Sequence, residues 1–142
     1  MIKITTTVRD EMVEHALREF PNEACGLLAG TLQPSADEGA RAASAEGFYP
    51  MTNADASPVT YRLDPREQLK VFDAIEEAGG EVVGIVHSHT HSEAYPSETD
   101  RKQAFYPDAH YVLVSVQDRN NPVVRAFTIR DGLIDEQDVI TP

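Results

Sequence analysis

Three of the five histidines in this 142-residue chain fall within five positions, His87-Ser88-His89-Thr90-His91. Residues two apart on a β-strand point to the same side of a sheet, so His87 and His89 can present two imidazoles to one cation from a strand end. After a polar loop, Ser97 and Asp100 stand three apart in what reads as a first helical turn, which puts them on one helix face. Two imidazole nitrogens and one carboxylate oxygen leave a fourth coordination position for water. That is the ligand pattern of a catalytic zinc, whereas a structural zinc is closed by four protein ligands, commonly cysteines. An isolated His-x-His pair is more often a surface or core feature. The Ser-x-x-Asp that follows after seven residues makes this pattern far more restrictive.

The flanking elements are the ones such a site needs. Glu81 to Val86 is β-rich and apolar and reads as a central strand feeding the histidines. Ser97 reads as an N-cap, with Glu98 and Asp100 in the first turn, where the helix dipole favours negative charge. Upstream, Val8, Met12, Val13, Ala16, Leu17 and Phe20 mark one face of an amphipathic helix, which Pro21 ends at about Phe20. Cys25 to Gly30 predicts a short buried strand, and Phe48 to Met51 closes a second extended piece. Asp64-Pro65 predicts an N-cap with proline at the first helical position. The following helix is expected to bury Leu69, Phe72 and Ile75 and to stop at Gly79-Gly80. Tyr111 to Val116 and Val123 to Ile129 read as strands joined across a hairpin connection, and Asp131-Gly132 as a further tight turn. Gln33 to Gly39 reads as a surface loop or variable hairpin. The expected fold is α/β: one mixed-sheet domain over residues 1–142, flanked by about three helices.

Composition narrows the function. Twelve Lys and Arg against 24 Asp and Glu give a net charge of −12, which argues against a nucleic-acid partner and against docking on anionic membranes. No apolar run approaches the ~20 residues of a membrane span, and the N-terminus lacks the apolar stretch of a signal peptide, so the expected location is the cytoplasm. The single cysteine, Cys25, cannot form an internal disulfide or a cysteine-only zinc cage. It reads as a small buried hydrophobe in Gly-Leu-Leu-Ala, with a redox thiol or a fourth ligand as the competing readings.

His87-x-His89, seven residues, Ser97-x-x-Asp100 resembles the signature of the JAMM (MPN-type) zinc metallopeptidases, and every spacing matches. The family has an upstream glutamate in a Pro-x-Glu-x-Cys-Gly context, which here is Pro21-Asn22-Glu23-Ala24-Cys25-Gly26. Pro50-Met51-Thr52-Asn53, Ser57-Pro58, Tyr61-Arg62-Leu63-Asp64 and Glu93-Ala94-Tyr95-Pro96-Ser97 resemble a bacterial branch that hydrolyses cysteine from the C-terminus of a small ubiquitin-like sulfur-carrier protein, a step of cysteine biosynthesis. The resemblance runs from about Val8 to Ile134 and implies a cytidine-deaminase-like architecture.

It also implies roles. His87, His89 and Asp100 would hold Zn2+, Glu23 would act as general base and then general acid, and Ser97 would donate a hydrogen bond to the developing oxyanion. Ser97 can be cap and donor together only if its hydroxyl faces the metal. Asn53, Tyr61 and Arg62 are candidates for holding the substrate tail, Arg62 through a carboxylate. The competing reading makes Tyr61 a half-buried strand aromatic and Arg62 a surface charge. His91 shares the strand face of His87 and His89 only if the strand continues. The family assigns it no ligand role, so the chain is expected to turn after His89, leaving His91 at the mouth of the site. The implied partner is the carrier's C-terminal tail, and a homodimer is left open. Two alternatives stand beside this reading: a broader isopeptidase that removes ubiquitin-like modifiers from lysines, and a non-catalytic MPN scaffold, although such scaffolds usually lack the ligands present here.

Overall fold

A short strand, β1 (Ile2–Ile4), leads into helix α1 (Thr6–Glu19), whose start is capped by Thr5 accepting the Val8 N–H. The helix ends where Pro21 requires it to, with Phe20 already extended. Its fully buried residues are Val8, Met12, His15 and Ala16, a face of spacing i, i+4, i+7, i+8. Leu17, expected on that face, is instead exposed at its edge, and the buried position is taken by His15, whose Nε2 meets the Cys25 carbonyl at 3.1 Å.

Strands β2 (Cys25–Leu32) and β3 (Ala43–Met51) pair antiparallel. This computed structural model describes residues 1–33 and 42–142, so the loop expected over Gln33–Gly39 lies, from position 34, outside the described residues. Helix α2 (Pro65–Glu77) begins as expected: Asp64 accepts the backbone N–H groups of Arg66 and Glu67, and Pro65 holds the first helical position. It ends at Ala78, before Gly79 at φ +79. Of its expected core residues, Ile75 is buried and Phe72 half-buried, but Leu69 is 62% exposed. The helix packs through Gln68, Val71, Phe72 and Ile75, an i, i+3, i+4, i+7 stripe from which Leu69 is rotated away.

Strand β4 (Glu81–His89) pairs antiparallel with β2 and parallel with β5 (His110–Ser115). The parallel pair needs a long crossover, and that crossover carries the short helix α3 (Glu98–Lys102). β6 (Val123–Arg130) and β7 (Leu133–Gln137) complete the antiparallel end. Their tight turn puts Asp131 and Gly132 both at positive φ, +49 and +77. β8 (Val139–Ile140) pairs with β1.

The eight-stranded sheet runs β7-β6-β5-β4-β2-β3-β1-β8. Its two outermost strands are separated in sequence by Asp138 alone. Gln137 still pairs with β6, Val139 already pairs with β1, and the Asp138 carbonyl accepts the Ile2 N–H. One continuous segment therefore serves both margins, which curls the sheet and leaves little open edge. Val8, Met12 and Ala16 of α1 pack on one face with Leu28, Val86 and Val112. Phe72 and Val71 of α2 cover the other with Cys25, Leu27, Ile85, Tyr111 and Tyr61. The residues of interest lie at the C-terminal end of β4 on this second face. Among the described residues, no helix is long and apolar enough to cross a membrane.

Candidate metal centre

β4 ends at His89, so His87 and His89 are the last residues of a strand to share one face before the chain bends at Thr90. Asp100 arrives from the opposite direction, as the third residue of α3. Ser97 caps that helix reciprocally: its Oγ accepts the Asp100 N–H at 3.0 Å, and its own N–H donates to Asp100 Oδ2 at 2.9 Å. The capping box turns the carboxylate back toward β4. His87 Nε2 and His89 Nε2 lie 3.0 and 2.9 Å from that same Oδ2. All three residues are buried, and their ligand atoms lie within 4.8 Å of one another.

The His89 Nδ1–H donates to the Glu93 carbonyl at 2.8 Å, which turns its Nε2 toward the cluster, as an outer hydrogen bond orients a metal-bound imidazole. Burial would raise Asp100, but its hydrogen bonds with His87 and His89 and with the Ser97 N–H hold it well below the usual carboxylate range. Burial lowers His87, only partly offset by Asp100. For His89, burial pulls down, but the Asp100 and Glu93 hydrogen bonds prevail and raise it. Two nitrogens and a carboxylate that remains ionised form a donor set suited to a borderline divalent cation.

Glu23, just before β2, is 4% exposed, and its Oε1 is buried without a hydrogen-bond partner among the described residues. Burial raises it to about 8, with nearby His89 pulling down and Asp100 pushing up. A desolvated carboxylate with a free oxygen, coupled to the triad, is an unfavourable arrangement for stability alone. It suits a site where a cation and a water complete the set.

Tyr61 lays its ring on His87, with centroids 4.2 Å apart and planes 17° apart. Tyr61 also lines, with Leu63, Ile85, Tyr106 and Tyr111, a cavity of about 240 Å³. Arg62 is exposed and reaches Asp55 at 3.3 Å. Asn53, a candidate for holding the substrate tail, is bonded within the fold. As a substrate contact it needs a free donor or acceptor, yet its amide is consumed internally: Nδ2 donates to the carbonyls of Glu23 and Thr60, and Oδ1 accepts the N–H groups of Asp55 and Arg62.

Ser97 is exposed, and its hydroxyl proton has no acceptor among the described residues, so the cap leaves a donor available. His91 stands outside the triad, exposed, 5.7 Å from the Phe20 ring, with Thr90 Oγ1 2.8 Å from its Nδ1. Cys25 pairs with His87 across β2 and β4 but is fully buried among apolar side chains, and that burial pushes its thiol up to about 12. Sequence reasoning missed Ser88. Lying between the two histidines on the opposite face, it accepts the Ala24 N–H at 2.7 Å and ties the chain beside Glu23 to the ligand strand. Its placement midway through His-Ser-His was the available signal.

Residues 5–130 match the family model described as prokaryotic homologs of the JAB domain. The chain is 48% identical over 139 residues to a protein of Mycobacterium tuberculosis named CysO-cysteine peptidase, covering 98% of this chain and 90% of that one. It is 37% identical over 123 residues to a desampylase of Haloferax volcanii, covering 83% of each. A solution structure of a protein from Desulfitobacterium hafniense superposes with a TM-score of 0.87 at 36% identity, covering 100% of this chain and 93% of that one.

Proposed function

The chain belongs to the prokaryotic JAB-domain family, and from that premise we propose a zinc-dependent hydrolase that cleaves the amide between the C-terminus of a ubiquitin-like sulfur-carrier protein and cysteine, releasing cysteine. The observation that carries the chemistry is the buried, unpartnered Glu23 oxygen beside the His87–His89–Asp100 cluster. Support for the substrate is the 48% identity to the CysO-cysteine peptidase along nearly the whole chain.

His87 Nε2, His89 Nε2 and the Asp100 carboxylate would hold the ion. Bound there, zinc supplies Lewis-acid polarisation of the scissile carbonyl and a water acidified toward neutral pH. Glu23 would accept the proton of the water that attacks the carbonyl carbon. Burial raises this carboxyl and so favours its holding the proton, which it would then give to the departing cysteine nitrogen. The Ser97 hydroxyl donates to the oxygen that gains charge. Removing such a donor elsewhere costs about 3–4 kcal/mol. The C–N bond breaks, leaving the carrier carboxylate and free cysteine. Tyr61 shields His87 from solvent on its stacked side, and exposed Arg62, paired with Asp55, would meet the carboxylate of the leaving cysteine. A cytoplasmic setting belongs to this reading.

Similarity to the desampylase favours a second reading, release of a ubiquitin-like modifier from a lysine side chain. The two separate by mass spectrometry. The sulfur-carrier protein from the same genome, ligated at its C-terminus to cysteine, is incubated with the zinc-loaded enzyme beside a lysine-linked conjugate of the same carrier. Loss of the mass of one cysteine, with the lysine conjugate untouched, is expected. Cleavage of the lysine conjugate alone overturns the first reading.

A further inference from the structure

We infer that Asn53 is a positioning residue whose side-chain amide fixes Glu23 and Tyr61 together against the metal cluster. The inference rests on the reading of Glu23 given above and extends it to a residue whose side-chain amide is fully engaged by backbone groups.

Four bonds carry it. Nδ2 donates to the Glu23 carbonyl at 3.0 Å and to the Thr60 carbonyl at 2.9 Å, and Oδ1 accepts the N–H groups of Asp55 and Arg62 at 3.0 and 3.1 Å. Both donors and both acceptor positions of one amide are filled, and all four partners are backbone groups. Thr60 and Arg62 flank Tyr61, so the amide clamps both peptide links of the residue that stacks on His87. Glu23 itself precedes the first residue of β2 and is outside the strand ladder. It is held otherwise: its N–H donates to the Ser57 carbonyl, its C=O accepts from Asn53, and the next N–H donates to Ser88. The loop from Asn53 to Arg62 therefore meets the Glu23 backbone on both its donor and its acceptor side. An isolated bridge pairs Asn53 with Leu63, and the Ala54 N–H donates to the Arg62 carbonyl, closing the loop's base. The loop is thus a rigid bracket between the carboxylate and the ring, with Asn53 as its pin. A carboxylate displaced by an ångström from its working position loses much of its effect.

Two variants separate the functions of the amide. Asn53→Asp keeps an oxygen for the Asp55 and Arg62 amides but cannot donate to the Glu23 and Thr60 carbonyls. Asn53→Ala removes all four bonds. With the zinc-loaded enzyme and the carrier–cysteine adduct, both variants are expected to lower kcat about 10- to 100-fold with KM within about twofold and zinc content unchanged. Hydrogen exchange at the Asp55 and Arg62 amides accelerates only in Asn53→Ala. A raised KM with unchanged kcat overturns the inference in favour of a substrate contact, and wild-type kcat in Asn53→Asp overturns it outright. A wild-type enzyme inactive on the adduct sinks the proposed reaction and not this inference. The inference is read separately from couplings across the hydrogen bonds from Asn53 Nδ2 to the Glu23 and Thr60 carbonyl carbons in the wild type, and from shifts of the Glu23 carboxyl and Tyr61 ring resonances in the variants. Absent couplings or unshifted resonances overturn it.

Discussion

The Tyr61 ring covers the His87 imidazole almost in parallel, at 4.2 Å between centroids. His87 Nε2 turns to Asp100, while its buried Nδ1 has no hydrogen-bond partner among the described residues, so the ring is held by stacking where an outer carbonyl would normally hold it. Orientation of His87 thus depends on an aromatic face. Tyr61→Phe is expected to keep zinc affinity within about threefold, since the face survives. Tyr61→Ala is expected to weaken it by about 10- to 100-fold, the cost typical of losing an orienting neighbour. Competition with a chromophoric chelator measures both. Equal losses in the two variants would move the effect from the ring to the hydroxyl.

Glu23 combines burial, a raised proton affinity near 8 and an unpartnered oxygen, which suits a group that takes a proton and returns it. Glu23→Gln preserves shape and removes that capacity. Turnover of the carrier–cysteine adduct should fall by about 10²–10⁴-fold, while zinc stays bound at one ion per chain by elemental analysis. Retained turnover would remove Glu23 from the proton path, and loss of zinc would recast it as a ligand.

The third metal-ligand position separates two residues that look alike in the sequence. Asp100 receives both imidazoles on one oxygen, whereas His91 lies beyond the end of β4 beside Phe20. Asp100→Ala should lose most of the zinc, and should also cost about 1 kcal/mol of stability through the broken capping box. His91→Ala should keep the zinc. Metal analysis giving the reverse order would invalidate the ligand set.

The punctuation of the chain was readable because it acts locally. Thr5 was not anticipated as a cap, but Pro21, Asp64-Pro65, Gly79 and Asp131-Gly132 terminate or begin elements through their own backbone chemistry. The triad was readable for a similar reason: strand period brings His87 and His89 to one face, and a capping box fixes Asp100 relative to Ser97. What eluded the sequence was rotation and backbone contact. Leu69 has the right spacing to Phe72 and Ile75 for a helical ridge, yet the buried stripe runs one residue earlier, through Gln68. His15 hides in a polar position because a strand carbonyl awaits its ring. Asn53 bonds only to main-chain groups, which leave no side-chain signature, so an internal pin and a substrate contact look identical until the loop is folded. The joining of both sheet margins by residues 133–140 likewise depends on curvature that no local pattern encodes.

A histidine outside the metal cluster is expected to contribute to the acid limb of stability. His110 begins β5 and is 1% exposed. Burial, aided by the N-terminal ammonium, lowers it from 6.5 to about 4, with the Val83 carbonyl only partly offsetting this. The folded state therefore binds this proton more weakly than the unfolded chain. Its contribution is complete above pH 6.5 and is lost as pH falls through about 4, an effect of about 3 kcal/mol. His110→Leu removes the titrating group while filling similar space. Urea denaturation at pH 7.5 and pH 4.5 should show wild type losing at least about 2 kcal/mol more stability than the variant on acidification. The carboxylates titrate in both proteins, so the difference isolates the imidazole. Parallel losses in the two would place the acid sensitivity elsewhere in the fold.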